Sequence, residues 1–137
     1  MSARDVLMAA VVARVRALPR LQGVTVFDAP PVRAGLPYVL VEEPVLAATG
    51  AQGWRGVEGR LTVTLADAGE RPVRLRGLVD AVERGLATMP AAIGDGWRLG
   101  RMRLVRSRLV GSGGGDRWTG SAEFQLTMWR QDGETER

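Results

Sequence analysis

The sequence of 137 residues contains no cysteine, no histidine and no lysine. Without cysteine the chain has neither a disulfide framework nor a thiolate site. Without histidine it has no Ser-His-Asp triad, and without both residue types it has no ordinary zinc site. Without lysine it has no Walker A motif and no Schiff-base chemistry. These absences exclude most catalytic machinery and leave only carboxylates and arginines to carry chemistry.

The carboxylates form no pattern typical of a catalytic or calcium site. Glu42 and Glu43 are adjacent in a segment with strand character, so they should point to opposite faces of a sheet rather than act as a pair. The other acidic residues are scattered singly, without the D-x-D-x-D spacing of a calcium loop. We therefore expect no enzymatic activity, no cofactor and no bound metal.

Long apolar runs are also absent. The longest, from Val6 to Ala13, is much shorter than the roughly 20 residues that a membrane helix needs. It is followed by Arg14 and Arg16 and lacks the small-residue cleavage region of a signal peptide. The expectation is a protein made and assembled in the cytoplasm without a membrane partner.

All positive side chains are arginines, and the formal net charge is +4. The sequence pI of 11.1 overstates this basicity. Only Tyr38 and the amino terminus titrate between neutral pH and the arginine range, so a small excess of arginine moves the pI far upward. The richness in arginine, alanine, glycine and proline also fits a GC-rich genome. A net charge of +4 does not by itself indicate a nucleic-acid-binding protein.

Two segments have the apolar spacing of amphipathic helices. The first begins at Ser2-Ala3-Arg4-Asp5, which has the form of a capping box, and should end at Pro19. Its apolar stripe is Leu7, Val11, Val15 and Leu18. The second follows Pro72 and should end before Pro90. Its stripe is Leu75, Leu78, Val79, Val82, Leu86 and Met89.

The remaining periodic segments predict strands. Val24 to Phe27 is one, and Tyr38 to Glu43, between Pro37 and Pro44, suits an edge strand or a strand with sharp ends. Residues 44–56 predict a loop. Val57 to Ala66 alternates as a half-buried strand should, with Val57, Leu61, Val63 and Leu65 on one face and Glu58, Arg60, Thr62 and Thr64 on the other.

Two further strands should close the chain as a hairpin. After a turn at residues 93–96, Trp97 to Val110 is strand-like but its alternation is broken. Either a bulge near Gly100 or a strand covered on both faces would explain this. The glycine-rich run 111–115 leads into a strand rather than a helix, so it predicts a hairpin tip and not a phosphate loop. The last strand has one face made of Trp118, Gly120, Ala122, Phe124, Leu126 and Met128.

The element order α, β, β, β, α, β, β predicts an α+β fold. We expect a mainly antiparallel sheet of about four to five strands with two helices packed on one side. Residues 1–130 should form a single domain, and residues 131–137 a polar C-terminal tail.

The arginines of the strand 97–110 are the main candidates for an interaction surface. Strict alternation would place Arg101 and Arg103 on one face and Arg98, Arg106 and Arg108 on the other, unless a bulge merges the two groups. Arginines next to Trp97, and Arg117 and Trp118 across the hairpin, could bind single-stranded nucleic acid. Subunit contacts fit them better, and solvated surface is the third reading.

Trp54, in a loop with Gly50, Gly53 and Gly56, has two interpretations. It is an anchor for a protein interface, because tryptophan is enriched at binding hot spots. Alternatively, it folds back over the sheet edge. The residues assigned to a subunit or tail-tube interface are Trp54, Arg55, Arg106, Arg108, Arg117 and Trp118.

The order and spacing of these segments resemble the small tail terminator, or tail-completion, proteins of long-tailed phages, prophages and gene transfer agents. The resemblance covers roughly residues 3–130 and includes both helices and the strand after residues 44–56. Its other pieces are V26-F27-D28-A29-P30-P31, P37-Y38-V39-L40 and W118-T119-G120-S121-A122-E123-F124. No piece is a diagnostic motif, since the likeness lies in order and spacing.

The resemblance implies a structural virion protein at the junction of tail and neck. Such proteins form a ring, typically a hexamer, that caps the tail tube when it has reached full length. The implied partners are other copies of the chain, the tail tube protein and the head-side neck (stopper) protein, with DNA passing through the ring without sequence-specific recognition. The family has no catalytic residues to transfer. The alternative from the residues themselves is a small arginine-rich nucleic-acid-binding module.

Overall fold

The first helix, α1, spans Ala3–Ala17 in the computed structural model, which describes residues 1–112, 114 and 116–131. The predicted capping box is present: the Ser2 hydroxyl accepts the Asp5 N–H at 3.0 Å, and the Asp5 carboxylate accepts the Ser2 N–H at 3.3 Å. The helix ends before Leu18, whose backbone is extended because the following Pro19 disfavours helical geometry there. A short 3₁₀ turn follows at Pro19–Leu21.

The second helix, α2, spans Val73–Ala87 and begins directly after Pro72. The predicted stripe from Leu75 to Leu86 is buried, whereas Met89 lies beyond the end of the helix. The Thr88 hydroxyl donates to the Arg84 carbonyl at 2.8 Å and closes the last turn. The helix therefore ends two residues earlier than the apolar spacing predicts.

Within the described residues, seven strands form one sheet: β1 Thr25–Phe27, β2 Tyr38–Val41, β3 Val45–Ala51, β4 Trp54–Ala68, β5 Ala92–Gly94, β6 Trp97–Gly111 and β7 Arg117–Gln131. The order is β1-β2-β4-β7-β6-β5, and β3 pairs with β4 beside β2. The α+β class is confirmed. The prediction of a mainly antiparallel sheet with four to five strands is wrong, because the sheet has seven strands and is mixed: β1 pairs with β2 in parallel.

The prediction of a loop at residues 44–56 is also wrong. These residues form β3 and the start of β4, joined by a tight turn at residues 52 and 53. Alanine and glycine have low strand preference, so the local sequence did not indicate a strand here. Backbone hydrogen bonds to the partner strand stabilise it. The edge-strand reading of residues 38–43 is also wrong, since β2 lies between β1 and β4.

Both helices pack on one face of this sheet. The core beneath them includes Leu61 and Val63 of β4 and Phe124 and Leu126 of β7, all fully buried. A bidentate ion pair joins the end of β4 to α2: Arg74 donates to the two carboxylate oxygens of Asp67 at 2.8 and 2.6 Å. The opposite face of the sheet has no helix over it in the described part of the chain.

The hairpin β6–β7 is present as predicted, and the N–H of Ser112 donates to the Arg117 carbonyl at its closed end. Part of the glycine-rich tip lies outside the described residues. Gln131, the first residue of the predicted polar tail, belongs to β7, and residues 132–137 are likewise outside the described part.

Candidate interface on the open face of the sheet

The face of the sheet opposite the helices, here called the open face, is polar and basic. Strand alternation and register define its members on the three long strands. They are the even-numbered residues of β4, the odd-numbered residues of β7, and Arg98, Arg101, Arg103, Arg106, Arg108 and Val110 of β6. Within these strands the face carries seven arginines and two glutamates, a net charge of +5, against +4 for the whole chain.

Two bulges in β6 bring its arginines together. The register against β7 shifts between Leu99 and Arg101 and again between Leu104 and Arg106. Each bulge inserts one extra residue and so reverses which face the following residues occupy. The arginines that strict alternation would divide between two faces are therefore all on the open face. The bulge near Gly100 is confirmed, while the second, at Val105, was not predicted.

Glu123 lies at the centre of this arginine surface. Its carboxylate accepts from Arg106 at 2.8 Å and from Arg60 at 3.1 Å, so it links β6 and β4 across β7. Hydrogen bonds from Arg106 and then Arg60 lower the pKa of Glu123 below its ordinary value. The surface can thus hold a carboxylate between two guanidinium groups.

The other arginines of β6 differ in whether their guanidinium groups have a hydrogen-bond partner within the chain. Arg103 donates to the side-chain oxygen of Gln125 at 2.6 Å. Arg98, Arg101 and Arg108 are exposed and make no side-chain hydrogen bond or ion pair with any residue that the structure describes. These three guanidinium groups are available to an anionic partner.

Two tryptophans lie on the open face at the end next to the β3–β4 turn, far from the closed end of the β6–β7 hairpin. Trp54 and Trp129 are each 41% exposed, and both line one shallow concavity with Gln52, Gly53 and Gln131. The ring of Trp54 covers Gly56, where a side chain would collide with it. Trp54 therefore folds onto the sheet, and because its ring stays partly exposed, its role as an interface anchor stays a prediction.

The six residues assigned to an interface from the sequence do not form one group. Trp54, Arg106, Arg108 and Arg117 belong to the open face, as strand register shows. Arg55 and Trp118 point to the helix side, because neighbours along a strand face opposite ways.

The two residues on the helix side make contacts within the subunit. The Arg55 guanidinium lies 5.4 Å from the ring centroid of Trp97, which is buried, in a cation–π contact. The Trp118 indole N–H donates to the Gly69 carbonyl at 3.1 Å. Trp97 and Trp118 are therefore not stacking platforms beside the arginines.

Three contributors to the open face were not assigned from the sequence: Arg60, Glu123 and Trp129. The alternation of the strand 57–66 already placed Arg60 on its polar face, and the last strand alternates in the same way. What the sequence could not show is the pairing of β4 with β7, which places Glu123 within reach of Arg60.

The remaining acidic candidates make local contacts. Glu42 accepts a hydrogen bond from the Thr64 hydroxyl, and Glu43 pairs with Arg4 at 3.2 Å. Among the described residues, no group of three or more acidic side chains is arranged to hold a metal ion. No helix within the same ranges is long and apolar enough to cross a membrane.

Comparison with known proteins gives one family and a fold likeness. The sequence model of a family described as "Tail completion protein gp17" matches residues 8–129. A chain of the "Virion of native gene transfer agent (GTA) particle" is 21% identical, with a TM-score of 0.78 over 94% of this chain and 99% of that chain. A second solved chain is 17% identical, with a TM-score of 0.50 over 96% of this chain and 98% of that chain. No curated protein sequence matches.

Proposed function

The chain belongs to the family of tail completion protein gp17, a structural part of the virion tail, and we propose that it caps the tail tube as a ring. In this role it ends polymerisation of the tube and joins the tail to the neck proteins of the head. The observation that carries the proposal is the family match, which covers nearly the whole described chain. The likeness of the fold to a chain of a gene transfer agent virion supports it.

The open face supports the formation of a ring. A ring of identical subunits needs two different surfaces that meet head to tail. The open face presents exposed arginines, and arginine is enriched at protein interfaces because its planar guanidinium pairs with carboxylates in two-point contacts. Trp54 and Trp129 add an apolar anchor at one end of that face.

The partners of the ring follow from this role. We propose about six copies of the chain, contacts with the tail tube protein on one side and the neck (stopper) protein on the other, and DNA passing through the lumen without base recognition. The chain interacts with other virion proteins as a structural component, and we propose that it has no catalytic activity of its own.

Removal of the chain from the producing cell tests the proposal. Without a cap, tubes should grow beyond their normal length and fail to join heads, which electron microscopy of purified particles measures directly. Tails of normal length joined to heads in the absence of the chain would refute the capping role.

A variant of the open face tests which surface is used. Replacement of Arg98, Arg101 and Arg108 by glutamine should leave folding intact, since these side chains have no partner in the described residues, but should reduce ring formation. The matched control changes Arg33, Arg71 and Arg76, three exposed arginines outside the strands that form the open face, by the same substitution. Equal assembly of both variants would show that the open face is not a subunit contact.

The second candidate function is a small nucleic-acid-binding module, favoured by the gathering of five arginines of β6 on one face. Against it stand Glu123 at the centre of that face and the inward orientation of Trp97 and Trp118. The module would bind short oligonucleotides with steep salt dependence, and Glu123→Gln would tighten that binding. Weak binding that Glu123→Gln leaves unchanged would dismiss it.

A further inference from the structure

Among the strand edges that the structure describes, the outer edge of β3 is a free edge that carries no charge, proline or bulge. Within the described residues β3 pairs only with β4. Its seven residues, VLAATGA, contain no charge and no proline, and its register with β4 is uninterrupted. An uncharged edge of this length, in continuous register with its neighbour, is the kind on which another strand adds readily.

The other edges of the sheet carry features that oppose pairing. Arg16 donates to the carbonyl of Val26 at 3.1 Å and so occupies a backbone acceptor of β1, which is only three residues long. β5 is equally short. The free side of β6 has bulges at Gly100 and Val105 and a row of arginines, and both bulges and charges discourage strand addition. β3 has none of the protective features that β1, β5 and β6 carry.

The register shows which backbone groups of β3 are free. Glu42 donates its N–H to the Thr62 carbonyl, so the even-numbered residues of β4 direct their backbone groups to the β2–β3 side. These residues stand opposite Val45, Ala47, Thr49 and Ala51 in the β3–β4 register. The alternate residues Leu46, Ala48 and Gly50 therefore direct their N–H and C=O groups away from β4.

We propose that the outer edge of β3 receives an extended segment of a different tail protein, which adds to the sheet as a further strand. This inference rests on the proposed function for the class of partner. Backbone donors and acceptors in a row are matched only by another extended polypeptide. The segment that fits is uncharged and rich in small or β-branched side chains, like β3 itself.

The structure disfavours a second copy of the chain at this edge. Pairing of β3 with β3 of another copy would give a two-fold dimer, which closes on itself and cannot build a head-to-tail ring. Pairing of β3 with a different edge of a second copy meets the Arg16 contact, the short strands or the bulges described above. The partner strand therefore comes from a chain of another sequence.

Hydrogen exchange of the wild-type protein tests the proposal without any mutation. The measurement compares amides of β3 in the free chain, over a concentration series, with the same amides in purified particles. We expect Leu46, Ala48 and Gly50 to exchange at least about tenfold more slowly in particles, while the inward-facing amides of β3 change less. No added protection in particles overturns the proposal. Protection that grows with the concentration of the free chain also overturns it, in favour of self-pairing.

A proline variant gives a second readout. Ala48→Pro removes one outward N–H and keeps every β3–β4 hydrogen bond, and proline is tolerated where the N–H faces solvent. The control Ala48→Ser keeps the N–H at the same position. We expect A48P to fold with wild-type stability. Its incorporation into particles should be about tenfold lower than that of A48S, because the partner strand loses a backbone donor. Equal incorporation overturns the proposal, while the capping role is judged separately by tail length in cells lacking the chain.

Discussion

At the scale of single residues, the ion pair of Asp67 with Arg74 is the clearest buried polar contact. Asp67 is only 3% exposed and accepts three hydrogen bonds, two from Arg74 and one from the Ala68 N–H. Hydrogen bonds from Arg74 lower the pKa of Asp67 despite its burial. The pair fixes the end of β4 against the start of α2.

Asp67→Asn should lower the free energy of unfolding by about 1–3 kcal/mol, because it removes charge-assisted hydrogen bonds at a buried site. Urea denaturation at neutral pH measures the loss. The control Asp80→Asn breaks an exposed i,i+4 pair with Arg84 and should cost no more than about 0.5 kcal/mol.

The stability lost in Asp67→Asn should depend on pH in a defined direction. Because the folded state lowers the pKa of Asp67, its stabilisation is present above the unfolded value, about 3.9, and disappears as pH falls through the folded value. The stability difference between wild type and Asp67→Asn should therefore shrink on acidification below pH 4. A difference that stays constant down to pH 2 would show that the charge of Asp67 is not what stabilises the pair.

Glu123 offers a second residue-scale prediction. With Arg106 and Arg60 in contact, its carboxylate should titrate below the ordinary glutamate value of 4.5. In Arg106→Gln the midpoint should rise toward that value, because Arg106 makes the larger contribution. Carboxyl-resolved NMR titration measures both midpoints, and Arg76→Gln, on the exposed face of α2, is the control. An unchanged midpoint would mean that Arg106 does not hold Glu123 in solution.

At the scale of elements, the β3–β4 hairpin depends on Gly59. A side chain there would overlap the carbonyl oxygen of Val45 on β3, a backbone atom that cannot move without shifting the strand. Gly59→Ala should lower the free energy of unfolding by about 1–3 kcal/mol and speed hydrogen exchange along β3. Gly35→Ala, with nothing within 4 Å, is the control. Unaltered exchange in β3 would contradict the prediction.

The same hairpin shows where sequence reasoning succeeds and where it stops. Helices with strong apolar spacing and caps, such as α1 with its cap at Ser2, could be predicted because their signals are local. β3 could not, because its Ala-Thr-Gly-Ala residues become a strand only through pairing with β4. β1 was found, but its parallel pairing with β2 depends on the path of a ten-residue connection, residues 28–37, which no local pattern encodes.

The candidate interface was also predictable only in part. The exposed arginines of β6 were recognisable, yet their common face depends on two bulges, and only the one at a glycine had a sequence signal. Val105 looks like an ordinary strand residue, so the second bulge is visible only through the register against β7. Likewise Arg55 and Trp54 are neighbours in sequence but serve opposite faces of the sheet.

At the scale of the whole molecule, charge is unevenly distributed. The open face has a net charge of +5 and the whole chain +4, so the remainder is close to neutral. If arginines of the open face pair with carboxylates of neighbouring subunits, the contact weakens when salt shortens the screening length from about 10 Å at 0.1 M to about 3 Å at 1 M.

Light scattering across this salt range should show the mass falling from a closed oligomer of about six subunits toward the monomer. The Arg98, Arg101 and Arg108 variant should be monomeric at lower salt than wild type, whereas the Arg33, Arg71 and Arg76 control should follow wild type. An oligomer whose mass does not change with salt would exclude arginine contacts as the basis of assembly. A monomer at every salt concentration would mean that the ring forms only on the tube.

The length of the three central strands has a mechanical consequence. β4, β7 and β6 each have 15 residues and run side by side, a span of about 50 Å. Tension applied along these strands loads every rung of the β4–β7 ladder at once in shear, whereas tension across the sheet opens rungs one after another. The subunit is therefore stiffer along its strands than across them.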